Sequence, residues 1–171
     1  SLELFKNITQ VVFDKTGTLT KGEFKVSEVV ISNGFSKEEI LEYAAYAEIN
    51  SNHPVAKSIS DAFGKDTDYT RIKQVEEISG YSIKAVIDNK TILAGNDKLK
   101  KKKKIEHPVC NVEGTVVHVA IDNKYAGYII ISDTLKDDAI EAIENLKARN
   151  IKTVMLTGDN KFAALAFAKK L

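Results

Sequence analysis

Apolar runs at the two ends of the chain predict a parallel α/β sheet. Residues 8–13 form a short, nearly continuous apolar run, which is typical of a strand buried on both faces. Further strands are predicted at Gly127–Ile131 and Ile151–Leu156, with an amphipathic helix between them that Asp133 would cap and that would run to about Asn150. A last helical stretch follows. This alternation of strands and helices predicts that both ends of the chain build one doubly wound sheet.

Helix and hairpin signals dominate the middle of the chain. Ser36 and Glu39 have the spacing of a capping box, which predicts a helix start. Pro54 fits the first turn of a second helix. Asp88-Asn89-Lys90 and Asp122-Asn123-Lys124 are typical of hairpin turns. Strands are predicted at 71–78, 82–87, 91–94 and 115–121.

These two patterns predict two domains. Helices followed by a run of hairpins favour an antiparallel α+β domain, which we place at residues 22–126. It is inserted into an α/β domain made of residues 1–21 and 127–171. The predicted fold class is therefore α/β, a doubly wound parallel sheet with an inserted antiparallel α+β domain.

Charge and composition exclude several classes of function. The 171 residues hold 25 Lys and Arg against 24 Asp and Glu, a net charge of +1, so nothing indicates a nucleic-acid partner. One cysteine excludes an internal disulfide and fits a reducing compartment. No apolar run approaches the roughly 18–20 residues that span a bilayer, and no secretory leader is evident. We expect a soluble, cytoplasmic chain in which Lys100–Lys104 form a solvated surface.

Asp14 is the first candidate for chemistry. It follows the first predicted strand directly, where open α/β sheets place their reactive groups. A carboxylate can attack phosphorus and form an acyl phosphate, provided that Mg²⁺ and backbone amides offset the repulsion between the two anions. In the segment Lys15–Thr18, Gly17 allows a tight turn and the threonine hydroxyls can donate to phosphate oxygens. The alternative, a plain Asp cap in a turn, does not account for five such residues in a row.

The seven residues Asp14-Lys15-Thr16-Gly17-Thr18-Leu19-Thr20 resemble the phosphorylation motif of P-type ATPases, which belong to the haloacid-dehalogenase-like phosphotransferases. The resemblance implies that Asp14 is the phosphorylated nucleophile and a Mg²⁺ ligand, with Lys15 beside it in the catalytic loop. It implies that Thr16 holds phosphate and lends its backbone carbonyl to Mg²⁺. Soluble phosphatases of the superfamily usually carry an acid/base Asp at the position of Thr16.

Thr157-Gly158-Asp159-Asn160 resembles a second motif of the same family. By this resemblance Thr157 would hydrogen-bond the transferred phosphoryl group and Gly158 would allow close backbone approach. Asp159 would act near the nucleotide and the domain interface. The alternative is an ordinary turn at a strand end.

The inserted domain carries a resemblance to the heavy-metal class of these pumps, in Ser51-Asn52-His53-Pro54 with Glu48 upstream. The resemblance implies that Glu48 and His53 line an adenine pocket. The alternative is that His53 merely begins a helix. Gly80 and Asn96 would complete the pocket, and Ser82 stands where the family usually has a second glycine.

The resemblance implies a membrane pump that couples ATP hydrolysis to export of a heavy-metal cation, with ATP and Mg²⁺ as cofactors. The segments Ala44–Glu48 and Gly114–Val117 are more similar to zinc/cadmium exporters than to copper exporters. The implied partners are the transmembrane and actuator domains of the parent protein, of which this chain would be a cytoplasmic fragment with an incomplete parallel sheet. Because a further metal-binding loop of the family is absent, we expect little or no turnover from the fragment.

Two other functions stay open on the sequence. The first is a free-standing phosphatase of the superfamily, with residues 22–126 as its cap, although Thr16 replaces its acid/base Asp. The second is a catalytically silent nucleotide-binding module used for regulation.

Overall fold

The computed structural model describes residues 8–78, 82–96, 112–158 and 161–171. The chain divides into two compact units. The first consists of residues 1–23, 111–113 and 133–171, and the second of residues 24–110 and 114–132. The strands are β1 Gln10–Asp14, β2 Thr20–Ile31, β3 Ile72–Ile78, β4 Ser82–Ile87, β5 Lys90–Gly95, β6 Thr115–Ile121, β7 Lys124–Leu135 and β8 Lys152–Leu156. The helices are α1 Lys37–Ala47, α2 Pro54–Phe63, α3 Ala139–Ala148 and α4 Lys161–Ala168.

The first unit contains a parallel pair of strands, as the two ends of the sequence predicted. β1 and β8 pair in register from Gln10 with Lys152 to Asp14 with Leu156. Helices α3 and α4 supply Ile143 and Phe167 to the buried cluster of this unit. The α/β character of the fold is therefore confirmed.

The prediction that β1 is buried on both faces is wrong. Its residues alternate between exposed and half-buried, and Val12 is 49% exposed. Phe13, on the half-buried side, packs against the cluster of α3 and α4. Among the described residues this sheet has only the strands β1 and β8, so nothing described covers the side of Val12.

The second unit is built on a sheet of six strands in the order β2-β7-β6-β5-β4-β3, and the pairs from β3 to β7 are antiparallel. The hairpins β4–β5 and β6–β7 close at Asp88-Asn89 and Asp122-Asn123. All four of these residues have positive φ, between 48° and 63°, as a two-residue type I′ turn requires. Both predicted hairpin turns are confirmed.

Helices α1 and α2 cover one face of the six-stranded sheet. The capping box is present, since Glu39 N donates to Ser36 Oγ at 3.1 Å and Ser36 N donates to Glu39 Oε2 at 2.9 Å. Ile40 is fully buried in the main core. A smaller cluster that includes Tyr125 is separate from the main core. The fully buried His118 lies 2.8 Å from Tyr125 Oη through its Nδ1, so it is a packing residue.

Two predictions near residue 130 are wrong. Gly127–Ile131 belongs to β7 and pairs antiparallel with β6, not with the parallel strands of the first unit. Asp133 does not cap a helix, because it lies within β7, and α3 begins at Ala139 with Asp138 before it. The predicted solvated surface of Lys100–Lys104 lies outside the described residues. No helix in the described part of the chain is long and apolar enough to cross a membrane.

Candidate functional site

Asp14 stands at the carboxyl end of β1 and is exposed, followed at once by a tight turn. Thr16 has φ −76° and ψ 123°, and Gly17 has φ 78° and ψ −9°. These are the angles of the two central residues of a type II turn, whose second position needs a positive φ and therefore favours glycine. The turn predicted from Gly17 is present, and Thr16 and Thr18 are exposed on it.

Lys15 is buried, although it lies between exposed residues. Its Nζ lies 5.5 Å from the centroid of the Phe167 ring, within the range of a cation–π contact. The side chain therefore anchors the start of the turn to helix α4. The predicted place of Lys15 in the catalytic loop stays a prediction, and the structure shows its side chain packed on Phe167.

Thr157 and Gly158 lie at the same edge of the sheet as Asp14. Because Asp14 pairs in register with Leu156, the next two residues of the chain leave β8 beside the end of β1. Thr157 is half-buried and Gly158 is exposed. Asp159, predicted with them, lies outside the described residues.

Thr20 holds the shape of the turn through one buried hydroxyl. Its Oγ1 accepts from Gly17 N at 3.2 Å and lies 3.1 Å from Lys15 O and 2.5 Å from Asp133 Oδ2. Thr20 is fully buried, and Asp133 Oδ1 is a buried oxygen with no hydrogen-bond partner. A buried polar atom that loses its partner is costly, so Thr20 ties the turn to the end of β7.

Replacing Thr20 with valine is expected to lower the free energy of unfolding of the first unit by about 1–3 kcal/mol. Valine keeps the shape of threonine but leaves Asp133 Oδ2 and Gly17 N without this partner. Chemical denaturation measures the change. Thr20→Ser, which keeps the hydroxyl, is the control and should retain most of the stability. Equal losses in both variants would mean that the methyl group, not the hydroxyl, matters.

The turn has further supports from the segment after β7, which the sequence did not reveal. Lys136 Nζ donates to Gly17 O at 3.1 Å, and Lys136 N donates to Leu19 O at 3.0 Å. Lys21 pairs with Asp137 at 3.0 Å. These contacts join residues more than 110 positions apart, so no local pattern indicates them.

The second unit contains a cavity of about 480 Å³, within the usual size range of small-molecule sites. Four of the residues predicted for nucleotide binding line it: Glu48, His53, Ser82 and Asn96. Gly80 lies outside the described residues. The full described lining is Glu48, Ser51, His53, Val55, Glu77, Ser82, Ile83, Gly95, Asn96, Thr115, Val116 and Val117.

His53 both begins a helix and lines the cavity, so the two interpretations of this residue are compatible. It is the N-cap of α2, and its Nδ1 accepts from Val55 N at 3.2 Å. With Nδ1 as acceptor, the neutral ring carries its proton on Nε2, which makes Nε2 a donor. The ring is exposed, and the cap fixes its orientation at the cavity.

Glu48 contributes a half-buried carboxylate to the cavity. It is the C-cap of α1, and burial raises its pKa above the ordinary value. A hydrogen bond with the Ser51 side chain opposes this rise, and the charge of Glu77 adds to it. Among the described lining residues there is no Lys or Arg. The cavity therefore suits a neutral group that bears N–H donors, and it disfavours a phosphate.

Ser82 and Asn96 meet at the cavity because their strands are neighbours. Ser82 begins β4 and pairs with Gly95, the last residue of β5, so Asn96 follows directly beside it. Ser82 is buried and Asn96 half-buried. Gly95 also lines the cavity, and because glycine has no side chain, its backbone forms the cavity wall there.

A family model described as haloacid dehalogenase-like hydrolase matches residues 8–171. The chain belongs to this family.

Within this hydrolase family the chain is similar to metal-transporting ATPases, as its motifs predicted. It is 48% identical, over 99% of its length, to the zinc-transporting ATPase of Synechocystis sp., and spans 24% of that protein. A crystal structure of a zinc-transporting PIB-type ATPase in the E2.Pi state is similar with a TM-score of 0.79 and 32% identity, covering 99% of this chain and 29% of that one. A structure of the catalytic domain of a CPx-ATPase, which describes its conformational changes upon nucleotide binding, is similar with a TM-score of 0.71 and 26% identity. The match covers 99% of this chain and 62% of that one. The chain thus spans about a quarter of its curated relative.

These similarities support the interpretation of the chain as part of a transport ATPase over its interpretation as a soluble phosphatase. They agree with Thr16, which has no carboxylate with which to act as the acid/base of a phosphatase of this family.

The donors at the turn fit Mg²⁺ in kind. The Asp14 carboxylate and the Thr16 carbonyl are hard oxygen donors, and Mg²⁺ is commonly held by one or two carboxylates with waters and substrate phosphates. Within the described ranges, no group of three His, Cys, Asp or Glu side chains forms a candidate metal site.

Proposed function

We propose that the chain is the ATP-binding and phosphorylation portion of a heavy-metal-transporting P-type ATPase. The first unit would be the phosphorylation domain and the second the nucleotide-binding domain. The observation that carries the proposal is the cavity of the second unit, where Glu48, His53, Ser82 and Asn96 come together from the ends of α1, α2, β4 and β5. An adenine site in the same chain would bind the ATP from which Asp14 takes its phosphoryl group.

In the proposed reaction a carboxylate oxygen of Asp14 attacks the γ-phosphorus of ATP. The bond from that phosphorus to the bridging oxygen breaks, and ADP leaves with the electron pair, so Asp14 becomes an acyl phosphate. Backbone amides of the turn after Asp14 and the Thr157 hydroxyl would donate to the phosphoryl oxygens. Mg²⁺, held by the Asp14 carboxylate and the Thr16 carbonyl, would neutralise charge on those oxygens.

The cavity would take the base of ATP and leave the phosphates outside. Two carboxylates and no cationic side chain among its described lining disfavour phosphate and favour the amine of adenine. Glu48 would accept from that amine, and the His53 ring would stack on the purine or donate from Nε2. Val55, Ile83 and Val117 would contact the faces of the base.

The parent pump would export a cation of the zinc and cadmium kind. The support is the 48% identity to a zinc-transporting ATPase and the similarity to a zinc-transporting crystal structure. The parent would be an integral membrane protein, with this portion on the cytoplasmic side. Its transmembrane and actuator domains would be the partners of this chain.

Titration of ATP into the chain tests the proposal, with calorimetry as the readout. His53→Ala is expected to weaken binding by about 1 kcal/mol, roughly fivefold, the size of one stacking or hydrogen-bond contact. His53→Asn is the matched control for the helix start, because asparagine is a good N-cap but lacks the imidazole. Both variants should therefore lose affinity, while only His53→Ala should also lose helix stability.

Saturable binding that weakens in both variants would identify the cavity as the base site. Absence of binding, or a loss confined to His53→Ala, would count against the proposal. Absence of binding would leave the phosphoryl donor of Asp14 unknown. A loss of affinity confined to His53→Ala would show that His53 serves only the helix.

A further inference from the structure

We propose that Glu77 acts with Glu48 as a specificity-determining pair, which makes the cavity of the second unit select a 6-amino purine over a 6-oxo purine. The inference rests on the function proposed above. It concerns Glu77, which the motifs of the sequence do not include. The pair would set which nucleotide triphosphate serves as phosphoryl donor.

Glu77 reaches the cavity because of its register on β3. It pairs with Ile83 on β4, and both residues line the cavity. Side chains alternate along a strand, so Glu76 lies on the opposite face, where it pairs with Lys84. Glu76 is not among the described lining residues. The two adjacent glutamates thus differ in their access to the cavity and not in their charge.

Glu48 faces Glu77 from another element. It lies at the C-terminal end of α1, where the helix dipole is negative, and its charge and that of Glu77 interact unfavourably. The other titratable group of the described lining is His53, at the start of α2. Two carboxylates and a helix C-terminus therefore create a negative potential at one cavity.

A negative potential distinguishes hydrogen-bond donors from acceptors. The amine at position 6 of adenine donates two N–H groups, and a carboxylate can accept either of them. Hypoxanthine carries an oxygen at this position, which can only accept, so on this edge of the base N1–H is left as its donor toward a carboxylate. Carboxylates facing position 6 thus favour the amine over the oxygen, because the oxygen and the carboxylate would both be acceptors left unpaired.

The comparison of ATP with ITP confines the difference to position 6 and the adjacent N1, because the two nucleotides share ribose, triphosphate and the rest of the ring. For the unmodified chain we expect ATP to bind at least about tenfold more tightly than ITP, the scale of one hydrogen bond to a charged group. Glu77→Gln should reduce the ratio of the two dissociation constants by about threefold or more, because the glutamine amide can donate to the 6-oxo oxygen. Glu76→Gln, which removes the same charge on the opposite face, should leave the ratio unchanged.

A pH series provides a second readout. Binding of the amine needs ionised Glu48, so the preference for ATP should fall as the pH falls through the raised pKa of Glu48. Glu77→Gln removes one cause of that raised pKa, so the midpoint should move to lower pH. Glu76→Gln should keep the midpoint of the unmodified chain.

The outcomes separate this inference from the function on which it rests. ATP binding with an unchanged ATP-to-ITP ratio and an unchanged midpoint in Glu77→Gln would overturn the inference alone. Equal changes in Glu76→Gln and Glu77→Gln would also overturn it, since net charge would then explain both. Absence of ATP binding by the unmodified chain would overturn the proposed function and this inference with it.

Discussion

Replacing Gly127 with alanine is expected to lower the free energy of unfolding of the second unit by about 3–5 kcal/mol, among the largest effects of a single substitution. Gly127 lies in β7 with φ +144°, a conformation that residues with side chains rarely adopt. A Cβ atom there would lie 2.0 Å from Val30 O and 3.0 Å from Ile40 Cδ1. Since the first contact is with backbone, β2 and β7 would have to separate, which endangers bonds such as that from Ser32 N to Ala126 O.

Gly64→Ala is the matched control for this prediction. Gly64 also has a positive φ, 66°, at the C-terminal end of α2, but its nearest contact for a Cβ atom is an ordinary 3.7 Å. It should therefore cost only the conformational penalty, about 1 kcal/mol. Urea denaturation of both variants separates the two causes. Similar losses in both would mean that the strands separate easily and that φ alone decides the cost.

Local chemistry in the sequence predicted the second unit well. The capping box of Ser36 and Glu39 depends on residues three apart, and the hairpin at Asp88-Asn89 on two adjacent residues that tolerate positive φ. Such signals need no knowledge of the rest of the fold. The strands Ser82–Ile87 and Thr115–Ile121 have the bounds predicted from the same kind of pattern.

Pairing between distant segments explains the errors. The apolar run Gly127–Ile131 indicated a parallel strand, yet both faces of the six-stranded sheet are covered near β7, where Ile129 packs into the main core and Tyr128 against the smaller cluster. A strand covered on both faces has the same continuous apolar pattern in either kind of sheet. Asp133 resembled a helix cap because its partner, Thr20, is 113 positions away.

The candidate site likewise contains residues that local motifs predicted and a residue that only pairing between strands brings there. Glu48, His53, Ser82 and Asn96 were predicted from motifs, and the structure brings all four to one cavity. Glu77 belongs to no motif, and only the register of β3 against β4 brings it there. The motif residues thus meet at one cavity, whereas Glu77 reaches the same cavity only through strand register.

Asp14→Asn is expected to abolish formation of the phosphorylated protein, with a loss of about a thousandfold or more, as for the removal of other catalytic nucleophiles. The amide of asparagine has neither the charge nor the lone-pair basicity to attack phosphorus. The measurement is incorporation of label from [γ-³²P]ATP in the full-length pump that the proposal implies. Label on the unmodified protein should be released by hydroxylamine, which cleaves acyl phosphates.

Two further measurements show whether the loss reflects chemistry or folding. ATP binding should be retained in Asp14→Asn, because the described lining of the base cavity lies wholly in the second unit and Asp14 lies in the first. Asp14→Glu keeps the carboxylate but displaces it by one methylene, and a displacement of about 1 Å costs on the order of a hundredfold in rate. Normal labelling of Asp14→Asn would place the phosphoryl group on another residue. Loss of labelling and of ATP binding together would instead mean that the variant misfolds. Retained binding with labelling lost in Asp14→Asn and strongly reduced in Asp14→Glu would assign the nucleophile to Asp14 and separate its role from that of His53, which acts on binding.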